Sequence, residues 1–375
     1  MVPILRRIVT SSEAREARTS TAMQRLRVVL FSLRSLTFSS ETSRAVVLDT
    51  VFEPVFWVID HFVRILGPAF VLLVIGLTTS VVVIWYSFVL PAILLYTTPW
   101  IVLHIATAHW LLINIVFHYF KAVFTSPGRA LQDSNSNLEN VKSGKYSICK
   151  KCIQIKPPRS HHCSICKRCV LKMDHHCPWI NNCVGHFNHQ HFILFCIFMC
   201  LGTLYVTVSA RNLFIMHFFH DWSRASINNG KNNSTLLHVS SRVKPAGSYR
   251  DKEESASKSE HRCILFVFML CSSVTLALGI LTGWHCRLIS YGETSIEWHS
   301  NRDDAKRLRK KGLIFSNPYN FGVWNNWKML LGLVNGRSWL CILLPSTHPP
   351  YGDGISWHPL PNDLKKSRQG KLHIV

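Results

Sequence analysis

The chain has 375 residues, enough for one to three domains, and at 48% apolar and 17% charged it is too apolar to be disordered. Its 42 Lys and Arg against 20 Asp and Glu give a net charge of +22, which excludes a wholly buried chain. The excess calls for an anionic neighbour, either nucleic-acid phosphate or the inner face of a membrane, and the placement of the apolar residues decides between them.

Residues 1–64 carry nine Arg, no Lys and many Ser and Thr, and read as a basic cytosolic arm; Glu13, Glu16, Glu41 and Asp49 count against a transit peptide. Within it, residues 51–66 have the look of a short amphipathic approach helix on the membrane surface. No cleavable signal peptide is expected, because the first apolar run of span length begins near residue 65. From Ile65 to Phe120 there are 56 residues without Asp, Glu, Lys or Arg. A bilayer crossing needs roughly 20 apolar residues, so 65–120 holds two helices, at about 67–88 and 98–120, broken around Pro91 to Pro99. A third span is expected over 192–219 and a fourth over 263–290. Soluble core helices are seldom apolar all round for so long.

Four spans put both termini on one side. The segments 1–64, 121–191 and 291–375 hold 32 of the 42 basic residues, which makes them cytosolic by the positive-inside rule. The loop over 220–262 is then lumenal, and Asn233-Ser234-Thr235 within it is a weak glycosylation signal in agreement.

Seven of the thirteen cysteines fall within 149–183, interleaved with His161, His162, His175 and His176. The basic flanks place this segment on the reducing side, where disulfides are rare. Cys149/Cys152 and Cys163/Cys166 have the C-x-x-C spacing that brings two thiolates to one zinc. A structural zinc takes four ligands, so eleven candidates fill two sites and leave three over. The fragment Asp174-His175-His176-Cys177 places an orienter, a base and a nucleophile within four residues. Cys177 as a further zinc ligand, or the whole cluster as a nucleic-acid finger, stay open here. The C2H2 finger pattern, however, asks for two close Cys followed by two close His.

The run CKKCIQIKPPRSHHCSICKRCVLKMDHHCPWINNC over 149–183 resembles the cysteine-rich domain of the DHHC protein S-acyltransferases. Thr294-Ser295-Ile296-Glu297 resembles that family's T-T-x-E motif. Asn317-Pro318-Tyr319-Asn320-Phe321-Gly322, with Asn326-Trp327, resembles its C-terminal motif, so the likeness covers roughly 50–350. Two departures stand out: Ser126-Pro127-Gly128 replaces the family's D-P-G, and Ser295 replaces a threonine while keeping its hydroxyl.

The resemblance implies an α-helical polytopic membrane protein, with four transmembrane helices and a cytosolic zinc-binding domain between the second and third. It implies one structural zinc on Cys149, Cys152, His162 and Cys169, and a second on Cys163, Cys166, His176 and Cys183. Asp174, His175 and Cys177 would be catalytic in a ping-pong transfer from acyl-CoA, palmitoyl-CoA above all, to cysteines of membrane-associated proteins. Lys156 and Arg159 are the favoured contacts to the coenzyme A phosphates, ahead of Lys167, Arg168 and Lys172. Family habit places such enzymes in endoplasmic reticulum or Golgi membranes, in contact with lipid and without a nucleic-acid partner. Gly202 stands where some relatives carry a bulky aromatic, which implies room for chains longer than sixteen carbons. The rival classes are a zinc-scaffolded membrane adaptor or ubiquitin ligase and a membrane-anchored nucleic-acid binder. Neither needs a cysteine outside the metal sites.

Overall fold

A computed structural model describes residues 44–130, 146–149, 151–230, 247–334 and 336–357. Asn233 and most of the N-terminal arm lie outside the described residues. The chain divides into two units, 1–65 and 66–375.

In the first unit, helix α1 (Arg44–Ile84) begins, and its Trp57 ring stacks on His61. The helix does not pause near residue 66: the expected approach segment and the start of the expected span form one helix. Pro54 and Pro68 lie inside it without ending it, as membrane helices tolerate.

The second unit opens within α1. A π-helical turn, Trp85–Val89, follows and leads into α2 (Leu90–Ile93). After a turn, α3 runs over Thr98–Phe124 with Pro99 in its first turn, where the missing N–H costs nothing. Two long helices come later, α4 (His189–Gly230) and α5 (Gly247–Ser290). Among the described residues, four helices are long and apolar enough to cross a membrane: Phe52–Ile93, Thr98–Phe124, His189–Phe218 and Lys258–Ser290. The protein is a multi-pass membrane protein.

Between α3 and α4 the described residues make three two-stranded antiparallel hairpins. They are β1–β2 (Ser147–Ile148 with Ile155–Lys156), β3–β4 (His161–Cys163 with Arg168–Val170) and β5–β6 (His175–Cys177 with Asn182–Val184). Strands this short bury too little to stand alone. They need cross-links of another kind, and the histidine–cysteine clusters supply them.

Side-chain amides fasten this module to the membrane helices. Asn182 Nδ2 donates to the carbonyls of Ala122, Val123 and Thr125, covering the end of α3 where helical carbonyls lack partners. Asn188 Nδ2 donates to Cys183 O and to Ala122 O. Beyond α5, Thr294 caps α6 (Ser295–Arg309) in a full capping box with Glu297. In the tail, Asn326 Nδ2 donates to Ser290 O and Trp327 Nε1 to Ser290 Oγ, so the C-terminal motif closes the end of α5. After α7 (Val323–Leu330) the chain returns to α3, where Trp110 Nε1 donates to Leu343 O.

Candidate active site

Two clusters of four ligand atoms organise the hairpins. One joins Cys149, Cys152, His162 and Cys169, the other Cys163, Cys166, His176 and Cys183, and in each all ligand atoms lie within 4.8 Å of one another. The sulfur pairs Cys152–Cys169 and Cys166–Cys183 are each 3.5 Å apart, too far for a disulfide. Zinc–sulfur bonds of about 2.3 Å in a tetrahedron set ligand sulfurs about 3.8 Å apart. His162 and His176 present Nδ1 to their thiols at 3.4 to 3.9 Å. Both donor sets therefore fit a closed, tetrahedral Cys3His zinc site. They also interleave: Cys163 starts in the first metal's hairpin and serves the second metal.

Asp174, His175 and Cys177 lie together at the β5–β6 hairpin and outside both tetrads. Asp174 is fully buried, and its Oδ2 stands 2.6 Å from His175 Nδ1. Ser295 holds the same carboxylate with two donors, its backbone N to Oδ1 at 2.7 Å and its hydroxyl to Oδ2 at 3.0 Å. Burial alone raises a carboxyl, but the hydrogen bond from His175 and the neighbouring histidines keep Asp174 well below the usual range. Burial also disfavours a charged His175. Its hydrogen bonds to Asp174 and Cys177 win, and its pKa is pushed up to about 9. His175 is therefore a strong proton acceptor beside a thiol. Cys177 is buried and opens onto a cavity of about 450 Å³ walled by all four membrane helices.

That cavity is almost wholly apolar, and Ile180, Phe192 and Phe195 line it along with Cys177. Gly202 lines it too, and a Cβ there would stand 2.7 Å from Ile115 Cδ1, so the glycine serves both the cavity and helix approach. Farther along, Tyr86 and His109 meet at 2.6 Å, the first of them from the π-helical turn.

Lys156 ends strand β2 and is half-buried. Arg159 is buried; its Nε and Nη2 close a fork on Glu297 at 2.6 Å each, and Nη2 also reaches Gly292 O. Its guanidinium is sandwiched between Tyr319 at 4.5 Å and Trp357 at 4.4 Å. Sequence reasoning did not pair Arg159 with Glu297, although a T-T-x-E glutamate without a stated partner was the available signal. It also assigned nothing to His285 or His189, which stand beside Asp174 with no motif to mark them.

A family model described as DHHC palmitoyltransferase matches residues 142–302. Palmitoyltransferase ZDHHC16 of Homo sapiens is 46% identical over 342 residues, covering 90% of this chain and 88% of the relative. Palmitoyltransferase ZDHHC16A of Danio rerio is 43% identical over 358 residues, with 88% and 89% covered. Probable protein S-acyltransferase 16 of Arabidopsis thaliana is 31% identical over 265 residues, with 68% and 80% covered. A likeness of the sequence to the family member called Abl-philin agrees with the first two.

Proposed function

The chain belongs to the DHHC palmitoyltransferase family, and from that premise we propose that it carries the acyl group on Cys177 during a two-step transfer from acyl-CoA to cysteines of other proteins. The observation that carries this reading is the position of Cys177: outside both metal tetrads, beside the Asp174–His175 pair, and at the mouth of an apolar cavity.

His175 takes the Cys177 proton, and Asp174 holds the imidazole in the orientation that leaves Nε2 for the thiol. The thiolate attacks the thioester carbonyl, and the coenzyme A thiolate leaves and recovers the proton. In the second step a substrate-protein thiol attacks Cys177's thioester in the same way. Each step exchanges one thioester for another, so no ATP is required. Zinc held by the Cys149/Cys152/His162/Cys169 and Cys163/Cys166/His176/Cys183 clusters would supply folding energy and fix the hairpins, as closed sites without a part in the chemistry.

Each methylene is worth about 0.8 kcal/mol when buried, so moving a sixteen-carbon chain into water costs on the order of 10 kcal/mol. A cavity among the spans avoids that cost, which is why the reaction is placed at the bilayer edge. Lys156 and Arg159 are the proposed contacts to coenzyme A phosphates. Arg159 has two nitrogens engaged by Glu297, so among the described residues Nη1 is the one without a hydrogen bond, and Lys156 carries more of the attraction. The basic segments 1–64, 121–191 and 291–375 favour a cytosolic active site and termini, in endoplasmic reticulum or Golgi membranes.

Incubation of the purified protein with labelled palmitoyl-CoA tests the proposal. A hydroxylamine-labile adduct on Cys177 is expected, absent from Cys177→Ser while two zincs per chain remain. Loss of zinc from Cys177→Ser, or an adduct that persists in it, would overturn the assignment.

A further inference from the structure

Around Asp174 the structure gathers more histidine than proton transfer to one thiol requires. His285, from α5, is buried, with Nδ1 3.8 Å from Asp174 Oδ2 and no hydrogen-bond partner among the described residues. Its ring lies 5.5 Å from that of His175, and Phe192 packs near-perpendicular to both. His189, from the first turn of α4, is 1% exposed, and neither of its ring nitrogens has a partner among the described residues. It interacts electrostatically with Asp174, and its ring centre is 6.4 Å from that of His285. Buried polar atoms left without partners cost roughly 1–3 kcal/mol each, and such groups in a folded protein call for an explanation.

The ligand atoms of Asp174, His175 and His285 lie within 4.8 Å of one another. One carboxylate and imidazoles form a donor set for a zinc-class ion rather than for Mg2+ or Ca2+, which take oxygen. The carboxylate is already oriented by two donors from Ser295, as ligating carboxylates are. We propose that Asp174, His175 and His285 form a third Zn2+ site, inhibitory and separate from the two Cys3His clusters, and that His189, which stands beside that set and outside it in this structure, turns in as the fourth donor when the ion binds.

The chemistry balances without a further reactant. Zn2+ takes the place of the proton between His175 Nδ1 and Asp174 Oδ2, and that proton is returned through solvent to Nε2, so the neutral imidazole changes tautomer with no net loss of a proton. With its proton on Nε2, His175 has no lone pair for the proton of Cys177, and the thiol stays protonated. Removal of the ion restores the acceptor. The binding stands on the four side chains alone; the inhibition rests on Cys177 being the nucleophile.

The test uses full-length protein holding two zincs. Cys177→Ser protein, which cannot be acylated, is titrated with Co2+ at buffered concentrations. A third equivalent is expected, with weak visible bands and none of the intense sulfur-to-metal absorption that a cysteine site gives. In the unmodified protein, buffered Zn2+ should suppress acyl-adduct formation, and mild chelation should restore it while two zincs stay bound. His285→Phe should raise the Zn2+ concentration for half-inhibition by at least about tenfold, the scale of a damaged metal site. Should His285→Phe fail to retain two zincs, His189→Phe is scored in its place, and the Co2+ titration of Cys177→Ser protein stands independently. The absence of a third equivalent overturns the proposal, and so does unchanged inhibition in a folded His285 or His189 variant. A third equivalent in a protein that forms no adduct even when stripped of it would sink the Cys177 reading and leave the metal site standing.

Discussion

The hairpins β3–β4 and β5–β6 are built on one pattern with different outcomes. Ser160-His161-His162-Cys163 in the first matches Asp174-His175-His176-Cys177 in the second, and each returning strand carries Cys-Val. The registers agree residue for residue: His162 faces Cys169 as His176 faces Cys183, and Cys163 faces Arg168 as Cys177 faces Asn182. Cys149, Cys163 and Cys177 recur at one spacing, and the first two have a second cysteine three residues on, Cys152 and Cys166. After Cys177 that position holds Ile180, which is fully buried in the apolar core. Cys177 thus occupies the position of an opening ligand in a third repeat that lacks the second cysteine. The histidines diverge as well. Burial and Lys156 push His161 down, whereas Asp174 and Cys177 push His175 up against its burial. A cysteine's fate here depends on what stands three residues after it, and a histidine's on what stands just before it.

The comparison is most exposed at its matched cysteines. Cys163→Ser should lose a zinc and fail to fold, because a structural zinc supplies about 10–16 kcal/mol of apparent binding energy. Cys177→Ser should keep the fold and both zincs and form no acyl adduct; metal analysis and labelling distinguish the two. Next, Asp174→Ser would make the second hairpin a copy of the first. Acyl-adduct formation should slow by about 10²–10⁴-fold, read by single-turnover labelling, with zinc retained.

The Arg159–Glu297 fork ties the first hairpin to α6, so Glu297→Gln should destabilise by about 3–5 kcal/mol, seen as a lower thermal midpoint. Burial raises the Glu297 carboxyl, but Arg159 beside it outweighs this and holds the pKa below the usual value of 4.5. A depressed carboxyl stabilises fully above its unfolded value, and that contribution fades as pH falls below about 4.5. The stability gap between wild type and Glu297→Gln should therefore narrow on acidification; a gap constant with pH counts against the ion pair. Ser295→Ala removes one of the two donors that Ser295 gives to Asp174, while its backbone N–H and the His175 contact remain. A loss of about 1 kcal/mol, roughly fivefold in labelling rate, is expected. The smallest effect is a change of preference: Gly202→Tyr should shift competition between sixteen- and eighteen-carbon acyl-CoA toward the shorter. An unchanged profile in a folded, active variant would leave Gly202 a packing role alone.

Much of this architecture was legible in the sequence because its signals are local. Runs such as 65–120 announce bilayer helices by lacking charge, and the spacing of Cys149 and Cys152 announces a metal. The count of ligands left three over, and the resemblance to the family implied that they are His161, His175 and Cys177. What was not legible is long-range. Arg159 and Glu297 are 138 residues apart, and nothing near either names the other. His285 reads as an ordinary polar residue near the end of a span until the fold sets it against Asp174. The continuity of α1 was hidden because the charge-free run begins only at Ile65, after Glu53, Asp60 and Arg64, while the helix itself starts earlier.

Asp174 is oriented by a residue 121 positions later in the chain. On the ribosome, the cysteine-rich module emerges long before Ser295, and at about 5–20 residues per second the interval between them lasts several seconds or more. Throughout that interval the carboxylate lacks both of its serine donors. The partner arrives only after the fourth membrane helix has been made and α6 has begun at its capped end. In a chain that stalls or misinserts its last span, Asp174 keeps its contact to His175 and lacks both serine donors, so such a chain should form the acyl adduct more slowly than the finished protein.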